Sequence, residues 1–163
     1  MLAVLFALAL IWAFFPRGAD ALTGDPVLLN EALVSHTGDP DGLEYVELFG
    51  VPGMPLADLS LVSVEGDSST APGTIDRRVD FPADAHLGGN GFYLVGTAAG
   101  LPVSRYHVTP DLGWGDNSLE NGSQTLALVR TDGLGAAGTL VTGSETVLDA
   151  VGLTDAGPTD RWF

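Results

Sequence analysis

The side chains with the most scope for chemistry in this chain are its carboxylates. The sequence holds 21 aspartates and glutamates against six arginines and no lysine, for a net charge of −15. Calcium binds roughly six to eight oxygen atoms, which flexible loops supply through carboxylates and carbonyl groups. Three groups of carboxylates lie beside turn residues: Asp39, Asp41 and Glu44; Glu65 and Asp67; and Asp111, Asp116 and Glu120. We predict Asp39, Asp41 and Glu44 as candidate calcium ligands, and no other cofactor.

The spacing of these groups leaves two interpretations open. Gly42 directly follows Asp41, so the segment 39–44 does not meet the EF-hand pattern. Acidic loops on a chain of this charge are usually solvated without an ion. In a β-sandwich, however, any two of the three groups could meet at one end of the molecule.

The remaining residue types give no support to catalysis. His36, His86 and His107 stand far apart, without the spacing of a metal-binding motif, and no serine lies in a G-x-S-x-G elbow. Without cysteine the chain has no disulfide and no thiolate zinc site. Without lysine it has no Schiff base and no complete P-loop. We therefore predict that the chain is not an enzyme and has no catalytic residue.

The net charge also limits the partners. Proteins that bind nucleic acids need a basic footprint, and peripheral membrane anchors often use a polybasic segment; this chain has neither. We expect no direct binding of nucleic acid. The acidic surface should repel anionic polymers unless divalent cations bridge the two.

The N-terminal residues have the features of a signal peptide. Residues 1–15 are all apolar, and Ala19-Asp20-Ala21 supplies a small-x-small cleavage pattern. A helix over this run reaches only about 22 Å, short of the roughly 30 Å of a bilayer core. We predict a signal helix over 1–21 that is removed, which leaves a secreted or cell-surface protein without a stable membrane anchor. A weak membrane anchor is the alternative, because the usual basic start of a signal peptide is missing.

The pattern of residues in the rest of the chain predicts short strands separated by turns. Asn90-Gly91, Asn121-Gly122 and Asp132-Gly133 are pairs typical of tight turns. Such a pattern predicts an all-β sandwich. The stretch Ala98–Glu120 has no clear period and is predicted as a loop that is functional or covers a sheet edge. Within it, Trp114 either plugs the end of the sandwich or stays exposed to stack on a ligand. The seven predicted strands are Val27–Leu33, Glu44–Phe49, Leu59–Glu65, Thr74–Phe81, Gly91–Gly96, Gln124–Arg130 and Thr146–Leu153.

The order of these strand motifs resembles a known family. The apolar pair before Asn30-Glu31, the run Glu44-Tyr45-Val46-Glu47-Leu48 and the late Val147-Leu148-Asp149-Ala150-Val151 are similar to strands of the bacterial lamin tail domain. The stretch from Leu119-Glu120-Asn121-Gly122 to Leu128 resembles its turn and the following strand. The resemblance covers about residues 26–155 and implies an immunoglobulin-like β-sandwich over residues 22–163.

The resemblance also implies a function. Lamin tail domains of secreted bacterial proteins are regarded as adhesion or interaction modules, and some precede catalytic units. We therefore predict a non-catalytic secreted binding or accessory module whose partner is an unidentified extracellular protein or polymer. The alternative is the N-terminal fragment of a larger extracellular enzyme, such as an endonuclease/exonuclease/phosphatase-type nuclease. We expect a domain truncated at its C-terminus, because the chain ends soon after Val151. A calcium-dependent adhesin is a third possibility.

Overall fold

The computed structural model describes residues 27–34, 43–67, 71–97, 108–115 and 118–163. The predicted signal segment 1–21 lies outside these residues, so the signal helix stays a prediction. The described ranges contain no helix that is long and apolar enough to cross a membrane.

The described residues form two four-stranded sheets. The first sheet has the strand order β1-β2-β5-β6, and the second has the order β4-β3-β7-β8. Every neighbouring pair is antiparallel except β5 and β6, which run parallel. The all-β prediction is confirmed, and the two sheets are consistent with a β-sandwich. The strands are β1 (Leu28–Leu33), β2 (Tyr45–Phe49), β3 (Leu59–Glu65), β4 (Ile75–Asp80), β5 (Phe92–Thr97), β6 (Leu112–Trp114), β7 (Gln124–Arg130) and β8 (Val147–Leu153).

Each of the seven predicted strands is present, with ends that differ by at most one residue. The eighth, β6, lies in the stretch Ala98–Glu120 that was predicted as a loop. It has three residues and pairs with β5 at the edge of the first sheet. Its position therefore fits the expectation that this stretch covers a sheet edge.

The core lies between the two sheets and follows the alternation of each strand. Val46 and Leu48 of the first sheet are buried in the same cluster as Leu61, Leu126 and Leu128 of the second. Because side chains alternate across a strand, the intervening residues face the other way. On the second sheet this outer face is also covered. There, Ala127 and Val129 are buried beside Leu134 and Val141 of the connection between β7 and β8.

The C-terminal segment returns to the second sheet after β8. The Arg161 N–H donates to the carbonyl oxygen of Gly66 at 2.9 Å, and the Phe163 N–H donates to Thr125 Oγ1 at 3.0 Å. The side chains of Trp162 and Phe163 remain 59% and 46% exposed. This segment therefore fixes the chain directly after Glu65, where β3 ends.

Truncating a side chain between the sheets should cost far more stability than truncating one on the surface. Leu126 is fully buried, whereas Val147 is 54% exposed. We expect Leu126→Ala to lower the free energy of unfolding by about 2–5 kcal/mol, because it leaves a cavity. Val147→Ala should change it by less than about 0.5 kcal/mol. Urea denaturation measures both, and equal effects would contradict the packing described here.

Candidate metal centre

The space between the sheets becomes polar at one end. Along β3 the side chains of Leu61, Ser63 and Glu65 face the same way, so the apolar interior gives way to a hydroxyl and then to a carboxylate. Gln124 lies opposite Glu65 in the ladder between β3 and β7. Ser63 Oγ donates to Gln124 Oε1 at 2.7 Å, and all three polar side chains are buried. Polar groups buried in this way need hydrogen-bond partners or an ion.

Three carboxylates converge at this polar end. Glu65 ends β3, Asp76 lies on β4, and Glu120 belongs to the connection between β6 and β7. One carboxylate oxygen from each lies within 4.8 Å of the other two. Glu65 is only 6% exposed. Asp76 is partly exposed and Glu120 is exposed.

Asp76 carries the unsatisfied atom of this cluster. Its Oδ2 is buried and has no hydrogen-bond partner. Burial and, to a smaller extent, the negative charges of Glu65 and Glu120 together raise the pKa of Asp76 to about 6. A carboxylate in such a place is destabilised as an anion. Either a proton or a bound cation would relieve it.

The spacing of the three carboxylates suits a calcium ion. Calcium lies about 2.3–2.6 Å from each oxygen it binds, so two oxygens on one ion are at most about 5 Å apart. The three carboxylate oxygens of this cluster lie within 4.8 Å of one another and therefore satisfy this condition. Three carboxylates leave several of the roughly six to eight coordination positions for water or other oxygen atoms.

A β-bulge places Asp76 in this cluster. In the ladder between β3 and β4, Ser63 pairs with Arg77 and Val64 pairs with Ile75, so Asp76 is the extra residue between two paired ones. An extra residue bends the strand and redirects a side chain. Sequence reasoning missed Asp76 because it belongs to none of the acidic groups beside turns. A bulge leaves no clear pattern in the residues themselves.

The predicted carboxylate groups have different outcomes. Glu65 belongs to the second predicted group and Glu120 to the third, so the prediction that two groups could meet at one end is confirmed. Asp39 and Asp41 lie outside the described residues, and their binding of calcium stays a prediction. Glu44 is fully buried and accepts hydrogen bonds from the backbone N–H groups of Ser118, at 2.5 Å, and Leu119, at 3.2 Å.

Burial decides between the two predicted positions of Trp114. Trp114 is 6% exposed and belongs to the core between the sheets. Its side chain therefore fills space inside the fold and is not exposed for stacking on a ligand. His86 is exposed, and its Nδ1 lies 2.9 Å from the carbonyl oxygen of Asp84. His36 and His107 lie outside the described residues.

No protein-family model and no curated protein matches this chain. The resemblance to the lamin tail domain therefore rests on the strand motifs alone and stays a prediction.

Replacing Asp76 should change the dependence of stability on pH. The folded state holds a proton on Asp76 more tightly than the unfolded state, so this group lowers the free energy of unfolding as pH rises from 3.8 to about 6. We expect Asp76→Asn to melt at a higher temperature than the wild type at pH 7.5 in a chelator. The difference should shrink below pH 4.

Glu145→Gln is the control for this experiment, with the opposite sign. Hydrogen bonds from Thr142 lower the pKa of Glu145 in the folded state, so its charge stabilises the fold at neutral pH. This variant should melt at a lower temperature than the wild type at pH 7.5. A melting temperature of Asp76→Asn below that of the wild type at pH 7.5 would contradict the raised pKa of Asp76 in the folded state.

Proposed function

We propose that the chain is a non-catalytic, secreted binding or accessory module of the lamin tail type, with an immunoglobulin-like fold and a calcium ion bound at one end. The observation that carries the calcium site is the buried, unpartnered Oδ2 of Asp76 beside the carboxylates of Glu65 and Glu120. The signal-like residues 1–21 support secretion, and the order of the strand motifs supports the family.

The geometry of the cluster favours binding an ion over acid–base catalysis. Paired carboxylates with one raised pKa also occur in glycoside hydrolases, where an acid must reach the oxygen atom of the leaving group. Here the Oδ2 of Asp76 is buried, and Glu65 is 6% exposed. A single small cation can sit between such groups, whereas a polymeric substrate needs an open cleft.

A bound ion would also serve the stability of the module. The chain has no cysteine, so no disulfide can stabilise it outside the cell. Three like charges close together weaken the fold when nothing neutralises them. A cation that binds only the folded state stabilises it, by about 2.7 kcal/mol when the free ion is at one hundred times its dissociation constant.

Calorimetric titration of the purified protein with CaCl₂ at pH 7.5 tests this proposal. We expect one ion to bind to the wild type, and binding at least tenfold weaker in Glu65→Gln and in Asp76→Asn, because each removes a charged ligand. Asp132→Asn is the matched control. It removes an exposed carboxylate from a turn away from the cluster and should bind calcium as the wild type does.

Two results would contradict the proposal. The absence of binding at millimolar calcium would remove the metal site. Equal weakening in Asp132→Asn would show a diffuse attraction to the acidic surface. A nuclease assay with the same protein and calcium or magnesium tests the non-catalytic part, and cleavage that depends on the metal would overturn it.

A further inference from the structure

Glu120 is the member of the metal centre whose position depends most on its surroundings. Glu65 pairs with Gln124 in the second sheet, and Asp76 lies between two residues of β4 that pair with β3. Glu120 lies in the connection between β6 and β7 and is exposed. A metal ligand in a connecting segment keeps its position only if other groups hold that segment in place. What holds residues 118–120 therefore decides whether Glu120 reaches the ion.

The first sheet holds this connection through a buried carboxylate. Glu44, directly before β2, is fully buried. Its Oε2 accepts the N–H of Ser118 at 2.5 Å and the N–H of Leu119 at 3.2 Å, and its Oε1 lies 3.3 Å from the same Leu119 nitrogen. Two consecutive backbone amides next to Glu120 are thus held by one carboxyl group.

The second sheet holds the same connection through its carbonyl groups. Arg77 Nε donates to the carbonyl oxygen of Ser118 at 3.1 Å, and Gln124 Nε2 donates to the carbonyl oxygen of Glu120. The side chain of Leu119 is buried in the core between the sheets. The connection is therefore held on both sides, and Glu44 is a contact that ties it to the first sheet.

We propose that Glu44 is a positioning residue of the metal centre. Through the amides of Ser118 and Leu119 it places the Glu120 carboxylate within reach of Glu65 and Asp76. This inference rests on the proposed function, because it concerns the same ion. A carboxylate suits the task better than an amide. Both of its oxygens accept hydrogen bonds, whereas an amide side chain would turn an NH₂ group toward a backbone N–H or lose one acceptor.

A double-mutant cycle with Tb³⁺ as the probe tests the proposal on the full chain. Tb³⁺ binds oxygen ligands as calcium does, and its luminescence lifetimes in H₂O and D₂O give the number of bound water molecules. The variants are Glu44→Gln, Glu120→Gln and the double substitution. Glu47→Gln is the control, because Glu47 lies on β2 and accepts a hydrogen bond from Asn30 instead.

We expect Glu44→Gln to weaken Tb³⁺ binding by roughly 10–100-fold, as the loss of an outer-shell partner does. The bound ion should gain at least one water molecule, as it should in Glu120→Gln. The double variant should be no weaker than Glu120→Gln alone, because both changes remove the same ligand. Glu47→Gln should match the wild type in affinity and hydration.

The Tb³⁺ measurements distinguish an error in the role of Glu44 from an error in the metal centre itself. If Glu44→Gln binds Tb³⁺ as the wild type does while Glu65→Gln and Glu120→Gln bind it weakly, the positioning role is wrong and the metal centre stands. A further loss in the double variant would also overturn the positioning role. If Glu65→Gln and Glu120→Gln both bind as the wild type does, the metal centre itself is wrong.

Hydrogen exchange of the wild-type protein tests the same role without a substitution, should Glu44→Gln fail to fold. If Glu44 and the ion hold one segment, the ion must slow amide exchange at Ser118 and Leu119, because coupling between two sites is reciprocal. Exchange at these two amides that is unchanged by saturating calcium would overturn the proposal.

Discussion

A carboxylate removed from water is stable only where hydrogen-bond donors or a cation surround it. One end of this fold buries the carboxylates of Glu44 and Glu65 and one oxygen of Asp76. Much of the local architecture serves these groups. The connection at 118–119 offers its amides to Glu44, and the Asp67 N–H donates to Glu65 at 2.6 Å. Among the buried carboxylate oxygens of the described residues, the Oδ2 of Asp76 is the one without a donor, and that lack makes this end of the fold a candidate site.

The packing of the two sheets brings the three carboxylates together. The apolar side chains of both sheets supply the bulk of the core, and they bring β3 and β7 together with their polar ends aligned. The C-terminal segment bonds to Gly66 and so holds the chain just after Glu65. Packing energy thus keeps three like charges close together. A binding module can use such an arrangement, because a cation then contributes to its stability.

The fold was largely predictable because its signals are local. Alternating apolar residues and Asn-Gly or Asp-Gly turns mark seven of the eight strands. The exception, β6, is Leu112-Gly113-Trp114, which is too short for a period and joins its sheet only through a parallel partner. No local pattern reports such a pairing.

The site was predictable only in part. Glu65 and Glu120 stand out as carboxylates beside turns, but Asp76 enters through a bulge that depends on the register of β3 and β4. Glu44 was named for its charge, yet its observed partner is an amide 74 residues away in sequence. Burial and long-range partners decide what a carboxylate does, and neither can be read from its neighbours in the sequence.

Diffraction from crystals soaked in terbium chloride, recorded at the terbium absorption edge, shows whether a cation sits between Glu65, Asp76 and Glu120. We expect an anomalous peak about 2.3–2.6 Å from an oxygen of each of the three carboxylates. Crystals that hold terbium elsewhere on the acidic surface, with no peak between these three residues, would contradict it.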